Sequence, residues 1–138
     1  ILGSMEFACK VAGSKLIVVL GHSKCGAVKG ACDHVEMGNL TELLSKIQPS
    51  VYQEKDTTDN RTSKNSEFVE NVSEINVKRS VKNIIERSFV LEQMLEEGQI
   101  GIVGAMHDIE SGKVIFYDDV MYIKDDLNPE FTVAALRH

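Results

Sequence analysis

No apolar run in the sequence approaches the roughly 20 residues that a membrane-spanning helix requires, which excludes a membrane-embedded chain as the working expectation. Basic charge is scarce. Fifteen Lys and Arg face 21 Asp and Glu, for a formal net charge of -6. This disfavours the phosphate contacts that drive nucleic-acid binding, so nucleic acid is not an expected partner. The three cysteines are too few and too irregularly spaced for a disulfide framework. No secretory signal opens the chain, and a reducing cytoplasm is the expected compartment. Internal repeats are absent. With 138 residues, a single domain over 1–138 is expected. Hydrophobic residues at 43% and charged residues at 26% give a soluble globular balance. The chain starts at Ile1 rather than Met, and Leu2, Met5, Phe7, Ala8 and Val11 read like the middle of a domain. Further sequence upstream is therefore expected.

What is present alternates between strand-like and helix-like segments. Residues 2–12 have helical apolar spacing, with Ser4 as a candidate N-cap and Gly13 as the stop. Residues 16–20, Leu-Ile-Val-Val-Leu, form a wholly apolar run of the kind found in a central strand covered on both faces. A turn-rich segment follows, and residues 27–37 suit a helix stopped by Gly38. Asn39 with Glu42 resembles a capping box for the next helix, which Pro49 punctuates. Residues 53–66 contain no large apolar side chain and read as an exposed, mobile loop. From Glu67 to Glu97 the pattern is helical, with breaks expected near Asn76 and Ser88. Residues 100–106 give a second apolar strand, and Ser111-Gly112 turns it into a third from Val114. This order predicts an α/β fold: a mainly parallel sheet flanked by helices, with one antiparallel strand at its edge.

His22 and Cys25 stand where the first apolar run ends, the side on which open α/β sheets bind ligands. Neutral imidazole and thiolate both suit zinc, and a His-x-x-Cys turn can aim both at one ion. Gly21 and Gly26 would let the backbone wrap the metal tightly. Two donors alone do not make a site, and a buried structural cysteine is the competing reading.

The stretch running from Lys15 through Gly21-His22-Ser23-Lys24-Cys25-Gly26-Ala27 to Ala31 resembles the second zinc-ligand motif of the β-class carbonic anhydrases. Further similarity lies in residues 2–8, in 76–81, in Gly98-Gln-Ile-Gly-Ile-Val-Gly-Ala105 and in Gly112-Lys-Val114, so the resemblance covers about 1–123. It implies a zinc lyase that reversibly hydrates carbon dioxide to bicarbonate, with His22 and Cys25 as two of three protein ligands. The family's other cysteine ligand belongs to a Cys-x-Asp-x-Arg motif that does not occur in these residues. The resemblance thus implies that the N-terminal strands of the family sheet and the Asp-Arg catalytic dyad are missing here. No catalytic residue and no further cofactor-binding residue is identified. The first strand would then offer an exposed edge, from which a homo-oligomer is expected.

The remaining donors read as structural. Cys9 and Cys32 sit on apolar helix positions, and His107 at the end of the second strand suits packing or a backbone hydrogen bond better than a ligand or proton-shuttle role. His34, His138 and the Asp118-Asp119 and Asp125-Asp126 pairs read as solvated surface. Two readings stay open. One is a carbonic anhydrase whose site is completed from outside these residues. The other is a catalytically silent, truncated relative acting as a folded oligomeric or metal-binding module.

Overall fold

A computed structural model describes residues 1–124; His138 and the Asp125-Asp126 pair lie outside the described residues. Three strands, β1 (Leu16–His22), β2 (Gly101–His107) and β3 (Val114–Tyr122), make one sheet in the order β1-β2-β3. The pairing follows from the ladder ends. The Gly101 amide donates to the Lys15 carbonyl and the Ser23 amide to the His107 carbonyl, both at 2.9 Å, so β1 and β2 rise together in parallel. A tight turn with Gly112 at φ +77 reverses the chain into β3, where the Asp108 amide donates to the Lys113 carbonyl at 2.8 Å. The expected α/β architecture with an antiparallel edge strand is the one observed.

Between β1 and β2 run α2 (Gly26–Cys32), α3 (Gly38–Ser45), α4 (Gln48–Gln53), α5 (Ser66–Arg87) and α6 (Phe89–Glu96), while α1 (Leu2–Glu6) precedes β1 and continues as a π-type segment (Phe7–Val11). The described chain divides into two compact units: residues 1–20, 80–105 and 115 onward, and residues 21–79 with 106–114. In the first, Val81, Ile84, Ile85, Leu91, Leu95, Ile102 and Tyr122 form a buried cluster joined by Cys9. In the second, Val28, Ala31, Cys32, Val51, Phe68 and Val72 form another.

Several local expectations are corrected. Strand β1 is not covered on both faces: among the described residues it lies at the sheet edge, no residue of it is buried, and Leu16, Val18 and Leu20 are 50%, 43% and 52% exposed. Ser4 lies inside α1, which starts after Ile1 without a side-chain cap. Helix α2 ends at Cys32 because His34 turns left-handed at φ +54 and Asp33 is drawn away to accept from the Ser63 amide and hydroxyl at 2.8 and 2.5 Å. Gly38 therefore opens α3 instead of stopping α2, and Thr41 Oγ1, not an Asn39–Glu42 box, accepts from the Met37 amide at 2.7 Å. Pro49 sits in the first turn of α4, where its missing N–H costs nothing. Helix α5 passes through Asn76 unbroken, but the break at Ser88 is real: its hydroxyl caps α6 by accepting from the Leu91 amide at 3.2 Å.

The polar segment from 54 to 65 is irregular, yet it is tied to a buried carboxylate. Glu54, only 2% exposed, accepts from the Thr57 amide at 3.0 Å, the Thr57 hydroxyl at 2.5 Å, Arg61 at 3.2 Å and Asn71 at 3.3 Å. Arg61 also donates to the carbonyls of Val51 and Thr57, and its guanidinium lies 4.6 Å over the Phe68 ring. Burial alone would raise the Glu54 pKa, but these donors outweigh it and hold the carboxyl below its ordinary value. A depressed folded pKa gives stability that is fully present above the ordinary glutamate value of about 4.3 and is lost as pH falls through the lower folded value. Glu54→Gln should therefore lower stability by about 1–3 kcal/mol near neutral pH. In thermal melts the gap to wild type should narrow below about pH 4, and a gap independent of pH would contradict the assignment.

Burial also pushes the Cys9 thiol up and the Cys32 thiol up to about 11, with the Asp33 charge adding to the latter. Both are core residues, 4% and 1% exposed, as their helix positions implied. A thiol reagent near pH 8 should accordingly find one fast-reacting cysteine, Cys25, in the native chain and all three in denaturant. Equal reactivity of all three under native conditions would refute this core.

Candidate metal centre

His22 is the last residue of β1, and Cys25 directly precedes α2. Ser23 and Lys24 make the turn between them, and the tight conformation falls on Lys24 at φ +57 rather than on either flanking glycine. Gly26 has nothing within 4 Å of where a side chain would begin. Gly21 is constrained sterically. A Cβ there would stand 2.6 Å from Cγ2 of Val77 on α5 and 3.0 Å from the Met106 methyl, so only glycine lets β1 pass that helix.

The His22 ring is exposed, and its Nδ1 lies 3.0 Å from the Ser23 carbonyl oxygen. A carbonyl can only accept, so Nδ1 is the donor in this contact, and in the neutral ring the lone pair is then on Nε2. That is the tautomer in which histidine ligates a metal while its other nitrogen is held by the backbone. Cys25 is half-buried, a free thiol at the mouth of the same turn. The two predicted donors therefore flank one short turn between β1 and α2.

The loop is fastened to the β2–β3 turn. Ser23, 8% exposed, donates its amide to His107, donates its hydroxyl to Asp108 Oδ1 at 3.4 Å and accepts from the Ile109 amide at 3.0 Å. Lys24 pairs with Glu110 on the exposed side. The Asp108 carboxyl is held below its ordinary pKa first by the Ser111 hydroxyl and then by the Glu110 amide. His107 contributes its carbonyl here. Sequence reasoning missed Ser23 and Asp108, because nothing in their spacing of 85 residues signals that they meet.

In kind, these donors fit zinc; in number, they do not complete it. Among the described residues no group of three or more His, Cys, Asp or Glu is arranged to hold a metal ion. Cys9 and Cys32 belong to the two buried clusters and do not join the pair. His34 faces elsewhere, with Nδ1 3.0 Å from the Gln48 amide nitrogen and its ring 6.4 Å from that of Tyr52.

The sequence model of the family described as carbonic anhydrase matches residues 1–114. Carbonic anhydrase 2 of Mycobacterium tuberculosis is 27% identical over 132 residues, which cover 92% of this chain and 60% of that protein. A carbonic anhydrase of Mycolicibacterium smegmatis is 29% identical over 119 residues, covering 83% of this chain and 54% of that protein. The chain thus spans little more than half the length of these curated relatives. Among solved structures, a tetrameric β-carbonic anhydrase from Sordaria macrospora matches with a TM-score of 0.73 at 23% identity, over 84% of this chain and 58% of that one. The Coccomyxa β-carbonic anhydrase in complex with acetazolamide matches with a TM-score of 0.74 at 18% identity, over 99% and 61%. At these identities the structural likeness speaks for the fold, and the family match for descent. The chain belongs to the carbonic anhydrase family and has the fold of its β class.

Proposed function

We propose that these residues carry part of a zinc centre for the reversible hydration of carbon dioxide to bicarbonate, with His22 Nε2 and Cys25 Sγ as two protein ligands. The observation that carries this reading is the Nδ1 contact of His22 with the Ser23 carbonyl, which prepares Nε2 for a metal. When bound, zinc supplies hydroxide near neutral pH by lowering the pKa of its water to about 7. The chain's own part is to hold the imidazole in that tautomer and to keep the Cys25 thiol on the same turn.

The remaining ligands come from outside these 138 residues, which lack a Cys-x-Asp-x-Arg motif. The free edge of β1 is where they would join. A strand added parallel to it would lie about 4.8 Å away. Its C-terminal end would fall beside His22, because parallel strands end on the same side of a sheet. The exposed Leu16, Val18 and Leu20 are the surface such a strand and its cover would bury. In the absence of that strand, the same edge pairs with a second copy, giving a homo-oligomer. Three free thiols suit a reducing, cytoplasmic compartment.

The second reading, a folded module without catalysis, is favoured by the missing third donor among the described residues. Zinc content and carbon dioxide hydration measured on one sample separate the two. The 138 residues alone should bind zinc about tenfold or more tightly than Cys25→Ser does. They should hydrate carbon dioxide no faster than buffer until a segment with the missing ligands is supplied. Zinc binding indifferent to Cys25→Ser would overturn the ligand assignment, and a rate unchanged by that segment would favour the silent module. Val18→Lys, which puts a charge on the free edge, should reduce concentration-dependent sedimentation; a wild-type chain that stays monomeric would contradict the edge pairing.

A further inference from the structure

Every polar group of Ser23 is engaged, and together they connect the β2–β3 turn to the His22 ring. Its amide goes to the His107 carbonyl at 2.9 Å, and its hydroxyl lies between Asp108 Oδ1 at 3.4 Å and the Ile109 amide at 3.0 Å. Its carbonyl receives His22 Nδ1 at 3.0 Å. Asp108 is itself fixed: Oδ1 also accepts from the Glu110 amide at 3.1 Å, Oδ2 from the Ser111 hydroxyl at 2.7 Å, and its amide and carbonyl close the turn at 2.8 Å each.

From this we infer that Asp108 and Ser23 are positioning residues for the His22–Cys25 pair, acting in series: Asp108 orients the Ser23 hydroxyl, and Ser23 orients the imidazole of His22. The inference rests on the reading of that pair as metal ligands. Its physical reason is the turn itself. A loop of two residues with Lys24 in the left-handed region gains no regular ladder of its own, so its shape must be imposed from outside. Tethering to a closed hairpin turn imposes it. A ligand imidazole anchored through its other nitrogen loses fewer orientations on binding a metal, which is why partners one step removed from the ion affect its affinity.

The test uses cadmium as a thiolate-sensitive probe, titrated into the 138-residue chain and followed by its ultraviolet charge-transfer band, with amide hydrogen exchange at Ser23 and Ile109 measured without metal. Asp108→Ala and Ser23→Ala should each weaken cadmium binding by roughly 10- to 100-fold and speed exchange at these amides. Ser23→Thr, which keeps the hydroxyl, should restore both. Glu110→Gln, which removes only the exposed ion pair with Lys24, should behave as wild type. Circular dichroism identifies any variant that has lost its fold, and Ser23→Ala carries the test if Asp108→Ala has. Unchanged cadmium affinity and unchanged exchange in a folded Ser23→Ala chain would overturn the positioning role. A wild-type chain with no charge-transfer band that depends on Cys25 would instead overturn the metal reading, while exchange at Ser23 and Ile109 would still report the tether.

Discussion

The parallel pairing of β1 with β2 is the constraint on which the candidate site depends. At one end the Gly101 amide meets Lys15, and at the other the Ser23 amide meets His107. The second of these bonds delivers the residues after β1 to the turn after β2, and with them the hydroxyl of Ser23 to the carboxylate of Asp108. A slip of the register would move that hydroxyl off both Asp108 and the Ile109 amide, and the turn that carries His22 and Cys25 would lose its tether to the β2–β3 turn. Gly21 protects the register from the other side, since any side chain there would collide with Val77.

The two candidate donors and the exposed aliphatic side chains of Leu16, Val18 and Leu20 belong to one stretch, β1 and the turn that follows it. An edge strand with three exposed aliphatic side chains is a poor surface for an isolated chain, because unpaired N–H and C=O groups invite pairing. It is a sensible surface for a chain that meets another strand there. The match to the Mycobacterium tuberculosis protein covers 60% of that protein's length. Strand β2, by contrast, is buried at every position but His107, as a central strand should be.

Much of the architecture was legible in the sequence because it was written in local pattern. The apolar runs at 16–20 and 100–106 marked strands, Gly112 marked the hairpin, and Ser88 marked a helix start that its hydroxyl does cap. The errors fell where a long-range contact overrides local preference. Helix α2 stops early because Ser63 holds Asp33, and α5 runs through Asn76, whose Oδ1 accepts from the Ser50 hydroxyl at 3.0 Å. Covered-strand composition in β1 was read correctly as composition, yet covering is a property of neighbours, which a single strand does not record. The same division holds at the site. His22 and Cys25 stand out as candidates through a local His-x-x-Cys spacing and the motif around it, while Ser23 and Asp108 lie 85 residues apart and become partners only after the sheet has formed.

The central claim is that His22 and Cys25 act together as the zinc-binding half of a site. X-ray absorption at the zinc edge of the loaded 138-residue chain tests it most directly. The account predicts one sulfur at about 2.3 Å and one imidazole nitrogen at about 2.0 Å, with the other positions taken by light oxygen donors. Zinc bound without sulfur, or with the same sulfur shell in Cys25→Ser, would contradict it.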